Sequence, residues 1–176
     1  MTWCNLFQNF NGSIWHAFVV LLPVGAVVYL SVFFSLKKGH WYLFDPQHNT
    51  DQRLKDAGDF EPHSRRYQDL ARLAITLSAG ATAFLINVLA NDKVPASAFV
   101  QKVESVAPIV VGFFGFCIAL LILFMVFQAV HYEEYCHSPD HDTYKRWKYA
   151  LNVSLGWTGL LSFVLGFAWL ARNIFN

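Results

Sequence analysis

Hydrophobic positions run on in four unbroken blocks along this chain. Residues 14–36, 73–91, 105–130 and 149–171 contain no Asp, Glu, Lys or Arg, and Phe, Leu, Val, Ile, Ala and Trp fill them. A membrane span needs roughly 20 mostly apolar residues at a rise of about 1.5 Å each, and every block meets that length. In hydrocarbon the backbone must satisfy its own hydrogen bonds, and uninterrupted apolar runs do so as helices rather than as alternating barrel strands. The pattern predicts an all-α integral membrane protein, a four-helix bundle with up-down-up-down topology.

The polar segments are short. The longest, residues 37–72, is too small for a soluble domain with its own core. Residues 1–176 therefore form one domain, with a loop over about 37–72 and a helical hairpin tip over about 131–148. Ser138-Pro139-Asp140 fits a helix start, with Ser as cap, Pro at the first helical position and an acid in the first turn. The third helix is expected to run past the membrane to about Cys136, and the second to continue directly from about Pro62. Pro23 is expected to kink the first helix; Pro108 is expected near the start of the third, where its missing donor is dispensable. Trp3, Leu6, Phe7, Phe10 and Ile14 recur at helical spacing, which suggests a short stripe in the outer interface.

Charge orients the spans. Ten of the 13 basic residues fall in the first and third connections, among them Lys37, Lys38, Arg53, Lys55, Arg65, Arg66 and Arg72; Lys93, Lys102 and Arg172 fall on the other side. The positive-inside rule then places both larger connections in the cytoplasm and both termini outside, an N-out/C-out arrangement. Arg72, just within the apolar boundary, is expected to snorkel to the headgroups. The composition, 55% hydrophobic and 14% charged, agrees with a membrane protein. A net charge of +1 gives no electrostatic case for direct nucleic-acid binding.

Small and weakly polar residues mark two helices. Ala74, Ser78 and Thr82 are four apart, as are Ala79, Ala83 and Asn87, with Gly80 between the rows and Thr76 close by. Gly159, Ser162 and Gly166 form a similar stripe on the fourth span. Such residues allow close backbone approach and hydrogen bonds across helices. They predict tight contacts of the second and fourth helices, within the subunit or between subunits. The sharper alternative is an oligomer or pore face formed by Thr76, Ser78, Gly80, Thr82, Ala83, Asn87, Gly159, Ser162 and Gly166. A homo-oligomer is expected, a tetramer being favoured.

Catalytic and cofactor chemistry finds little footing. His131, Glu133, Glu134, Cys136, His137, Asp140 and His141 cluster near the third connection, but a helix end between Cys136 and Ser138 makes these groups diverge, so no metal is expected. Deep paired histidines for haem are missing from the spans, and so are ionisable groups at the midplane for ion-coupled transport. Cys4, Cys117 and Cys136 fall outside the membrane, within the bilayer and in the cytoplasm on this topology, which excludes a structural disulfide in one subunit. The reading is a non-enzyme without a cofactor, in contact with membrane lipid.

The stretch from Arg72 through Leu73, Ala74, Ile75, Thr76, Leu77, Ser78, Ala79, Gly80, Ala81, Thr82, Ala83 and Phe84 to Leu85 resembles the opening of a span in small bacterial four-span proteins from anti-phage defence loci. By size and span count the chain looks like the membrane subunit of the Kiwa defence system. The resemblance implies the bacterial inner membrane and a cytosolic protein partner; it carries no catalytic or ligand motif and assigns no residue a role. Two functions are expected from these observations: a membrane sensor or scaffold that docks a cytosolic partner through Arg53, Lys55, Arg65, Arg66, Glu133 and Glu134, or an oligomeric channel lined by the second span. The orientation is directly measurable. In intact cells a membrane-impermeant thiol reagent should label Cys4, and Cys136 only after permeabilisation; reversed labelling would overturn the inside-outside assignment.

Overall fold

A computed structural model describes residues 3–37, 60–90, 98–137 and 146–175, and all of them are helical. The helices are α1 (Trp3–Lys37), α2 (Phe60–Ala90), α3 (Ala98–His137) and α4 (Arg146–Phe175). Each contains a stretch long and apolar enough to cross a bilayer: Ala17–Ser35, Arg65–Ala90, Val100–His131 and Trp147–Ile174. The outer surface of these stretches is apolar, with Val19, Leu22, Val27, Leu30, Leu73, Phe84, Ile122, Val126 and Val164 among its exposed side chains. Such a surface suits lipid, which solvates it without the penalty water would impose.

Several boundaries differ from the sequence expectation. The helix of the third span begins at Ala98, so Pro108 lies well inside it and leaves the Glu104 carbonyl without its ladder donor. Lys102 and Glu104 interrupt the charge-free run, yet the helix passes through them because Lys102 is exposed while Val103 and Val106 are buried. At its other end α3 reaches His137, and α2 starts at Phe60 with Pro62 in its first turn, both close to expectation. The backbone of α1 is helical from Trp3, with Pro23 inside it. The side chains of the expected interfacial stripe lie outside the described residues, as do the whole loop 38–59 and the Ser138-Pro139-Asp140 cap.

The central unit is the pair α3–α4, which makes the most extensive contact of any two helices. Phe114, Cys117, Leu121, Phe124, Gln128 and His131 are all buried and follow one another alternately three and four apart. Tyr149, Asn152, Gly156, Gly159 and Gly166 are buried at the same spacing on α4, with half-buried Phe163 completing the row. These are the a and d positions of two antiparallel heptad seams. Gly166 faces Phe114, Gly159 faces Leu121 and Gly156 faces Phe124; a Cβ on them would come within 2.7 Å, 2.8 Å and 3.1 Å of those side chains. Bulk on α3 thus fits gaps on α4. The close contact expected of the small residues on the fourth helix is made within the chain, to α3 and not to α2.

The other helices attach to this pair. Ala71, Ala74, Ser78, Ala81 and Leu85 continue the heptad spacing on α2 and pack with Phe124, Leu121, Cys117, Phe114 and Val110 of α3. On the other flank, Ala17 and Leu21 of α1 cluster with Phe113, Phe116 and Leu165. Three side-chain hydrogen bonds tie the set together: Ser78 Oγ donates to Cys117 Sγ (3.4 Å), Ser162 Oγ to the Phe113 carbonyl (2.6 Å) and Ser154 Oγ to the Gly25 carbonyl (2.8 Å). Gly25 sits against Thr158, where a Cβ would lie 3.3 Å from the hydroxyl, so α1 approaches α4 closely at that point.

The glycines therefore divide into two kinds. Gly159→Ala and Gly166→Ala should each destabilise the folded chain by about 1–3 kcal/mol through overpacking. Gly80 has no atom within 4 Å of an added Cβ, and Gly80→Ala should raise stability by up to about 1 kcal/mol through helix propensity. Unfolding titrations in mixed micelles measure all three; equal effects would contradict the seam.

Candidate functional site

The seam changes character toward one end. Continuing the register from Phe124 and Gly156 sets Gln128 across from Asn152 and His131 across from Tyr149. Glycine gives way to larger polar side chains on α4, so the two helices no longer nest bulk into gap. A cavity of about 150 Å³ occupies this end, between α2, α3 and α4. Its polar part comes from Gln128, His131, Tyr149 and Asn152, with Tyr67 at the rim; its apolar walls include Leu70, Ala71, Leu121, Phe124, Val153, Trp157 and Leu160. Trp157 and Leu70, which line the cavity, are also exposed on the outer apolar surface.

In this cavity the amide oxygens of Gln128 and Asn152 lack the partners that buried polar atoms usually have. Gln128 and Asn152 are 9% and 6% exposed, and their side-chain oxygens, Oε1 and Oδ1, accept no hydrogen bond. A buried polar atom left this way costs free energy and calls for a physical explanation. The lining contains no Asp, Glu, Lys or Arg. A concave, mostly apolar pocket with a few convergent polar groups is the usual form of a small-molecule site.

The residues singled out from sequence fall into three groups. Ser78, Gly159, Ser162 and Gly166 are buried inside the chain at helix contacts. Thr82 is half-buried, and its hydroxyl oxygen has no hydrogen-bond partner. Thr76, Gly80, Ala83 and Asn87 are exposed and stand four, three and four apart, a second heptad face on α2 directed away from the core. For docking, Arg65, Arg66 and Glu133 are exposed on the α2 and α3 ends that bound the cavity, whereas Arg53, Lys55 and the Glu134 side chain lie outside the described residues. Arg72, expected to snorkel, is exposed and pairs with Asp69 at 3.5 Å. No group of three His, Cys, Asp or Glu side chains among the described residues could hold a metal.

Of the cavity's polar residues the sequence drew attention to His131, within a cluster weighed for metal binding, but not to Gln128 or Asn152. Gln128 and Asn152 lie in charge-free spans and break no apolar run, so hydropathy passes over them. The available signal was positional: Gln128 and His131, like Tyr149 and Asn152, are three apart and continue the buried heptad rows. Comparison with protein-family models, with curated proteins and with solved structures finds no match.

If the amides are kept for a ligand rather than for packing, removing one should stabilise the empty protein. Asn152→Leu should raise the thermal midpoint of protein in a zwitterionic detergent, by an amount equivalent to about 1 kcal/mol. A lower midpoint would mean that Asn152 supports the fold.

Proposed function

We propose that this protein is a non-enzymatic membrane sensor or scaffold, in which the cavity between α2, α3 and α4 receives a signal and the charged helix ends beside it dock a cytosolic protein. The observation that carries this reading is the meeting of two features at one end of the bundle. The partnerless amide oxygens of Gln128 and Asn152 lie in the cavity, and Arg65, Arg66, Glu133 and Lys148 stand on the helix ends around it. A change in cavity occupancy would bear directly on the packing of α2 against the α3–α4 seam, because Tyr67, Leu70 and Ala71 form one wall. The positive-inside distribution puts this end in the cytoplasm. The bacterial inner membrane and a role in anti-phage defence are the setting that the resemblance of Arg72–Leu85 suggests.

Self-assembly belongs to the same proposal. Thr76, Gly80, Ala83 and Asn87 form a small, weakly polar row exposed on an otherwise apolar surface, and such rows mediate helix association in membranes. A homo-oligomer, a tetramer in the simplest case, would bury this row on its axis. The same row would line the conduit in the channel reading, and conductance of purified protein in proteoliposomes separates the two. The sensor reading expects none above protein-free vesicles.

Both parts have genetic tests. Gly80→Leu or Ala83→Leu should shift native mass in mild detergent while leaving the monomer folded; a single-chain mass for the parent would remove the oligomer. Reversing Arg65 and Arg66 to Glu should reduce capture of the cytosolic partner in pull-downs and weaken its salt dependence. Membrane levels must be compared in parallel, since the change removes inside charge. Normal insertion with undiminished capture would make these arginines topology anchors only.

A further inference from the structure

We infer that the cavity is a binding site for an uncharged amphiphile with neighbouring hydroxyl groups, of the monoacylglycerol type, drawn from the bilayer. The inference deepens the sensor reading by naming the chemistry of its input. Gln128 Oε1 and Asn152 Oδ1 are buried acceptors without donors, and the register of the seam places them on facing helices of the same cavity. Two acceptors ask for two donors, which the vicinal hydroxyls of a glycerol head supply. The lining holds no Asp, Glu, Lys or Arg to pair with an ionic head, His131 being its one basic side chain, and unpaired buried charge is strongly disfavoured. A neutral head fits this lining best.

The shape indicates the rest of the ligand. One buried water needs about 10–15 Å³ of such space and two to four polar partners. The cavity offers about 150 Å³, mostly against apolar walls, so it suits a group of several atoms with an apolar continuation. Between α2 and α4 the direct contact is slight, and Leu70 and Trp157 flank that gap while remaining exposed on the lipid side. An acyl chain leaving the cavity would pass between them into the bilayer, where its burial costs nothing. The site lies where the charge-free runs meet the charged helix ends, the depth at which a glycerol head normally resides.

The full chain in lipid nanodiscs, labelled with a photoactivatable monoacylglycerol and mapped by mass spectrometry, tests this directly. Adducts should concentrate in Leu121–His131 and Asn152–Leu160. Unlabelled monoacylglycerol should suppress them at least tenfold; its diacetylated form, lacking both hydroxyls, and lysophosphatidic acid, carrying charge, should not. The Gln128→Leu/Asn152→Leu double variant should lose at least tenfold of the same adducts. The competitor series uses the parent protein, so the test stands even where that variant fails to fold. Adducts spread evenly over every lipid-facing helix, or equal competition by all three compounds, would overturn the inference. Partner capture in the same nanodiscs distinguishes the two claims: capture without specific adducts removes this ligand class but keeps the sensor, whereas specific adducts with no captured protein keep the site and remove the sensor.

Discussion

Close approach of α3 and α4 is the constraint on which the other contacts rest. Inside a membrane the hydrophobic effect gives helices little reason to associate, since lipid tails are as apolar as leucine. Shape must supply the difference, through dispersion between surfaces that fit. Here Phe114, Leu121 and Phe124 fill the spaces that Gly166, Gly159 and Gly156 leave open. The Ser162 hydroxyl adds a bond to the Phe113 carbonyl along the same contact. Once this pair is set, α2 finds one prepared surface around Cys117 and Leu121 and α1 another around Phe113 and Leu165.

The cavity follows from the same rule. The heptad register continues beyond the last glycine, but Asn152 and Tyr149 now stand where Gly156 and Gly159 stood, and Gln128 and His131 oppose them. Bulk meets bulk and the seam cannot close with the same intimacy. Small Ala71 on α2 leaves the side of this space open instead of plugging it. An apolar core would have filled it, and buried amide oxygens without donors make that omission costly. Partnerless buried oxygens occur at Thr82 and Thr158 as well, but those of Gln128 and Asn152 share one cavity beside the charged helix ends.

The four spans were legible because each is a long run without charge, and length alone decides whether such a run crosses a bilayer. Helix ends were harder: Lys102 and Glu104 hid the first turns of α3, although a helix carries such residues readily on an exposed side. Gly159, Ser162 and Gly166 announced a close contact, but small residues cannot name the helix that fills them. Phe114 and Leu121 look like any lipid-facing residue until the partner is known, and Gly156 escaped notice for the same reason. Gln128 and Asn152 escaped because neutral amides hardly change hydropathy, although their cost when buried is large. What a linear pattern cannot contain is the pairing of two heptad rows, and the pocket is a property of that pairing.

The most direct test of this account is disulfide scanning across α3 and α4 in native membranes, in a background with Cys4, Cys117 and Cys136 replaced by Ser or Ala. Cysteine pairs at Leu121 with Gly159, and at Phe124 with Gly156, should close rapidly under mild oxidation within one chain, giving faster gel migration. Ile122 or Leu123, which are exposed on α3, paired with the same glycine positions, should not close. Preferential closure through Ile122 or Leu123, or none at either seam pair, would contradict the α3–α4 register, and with it the position and composition of the pocket.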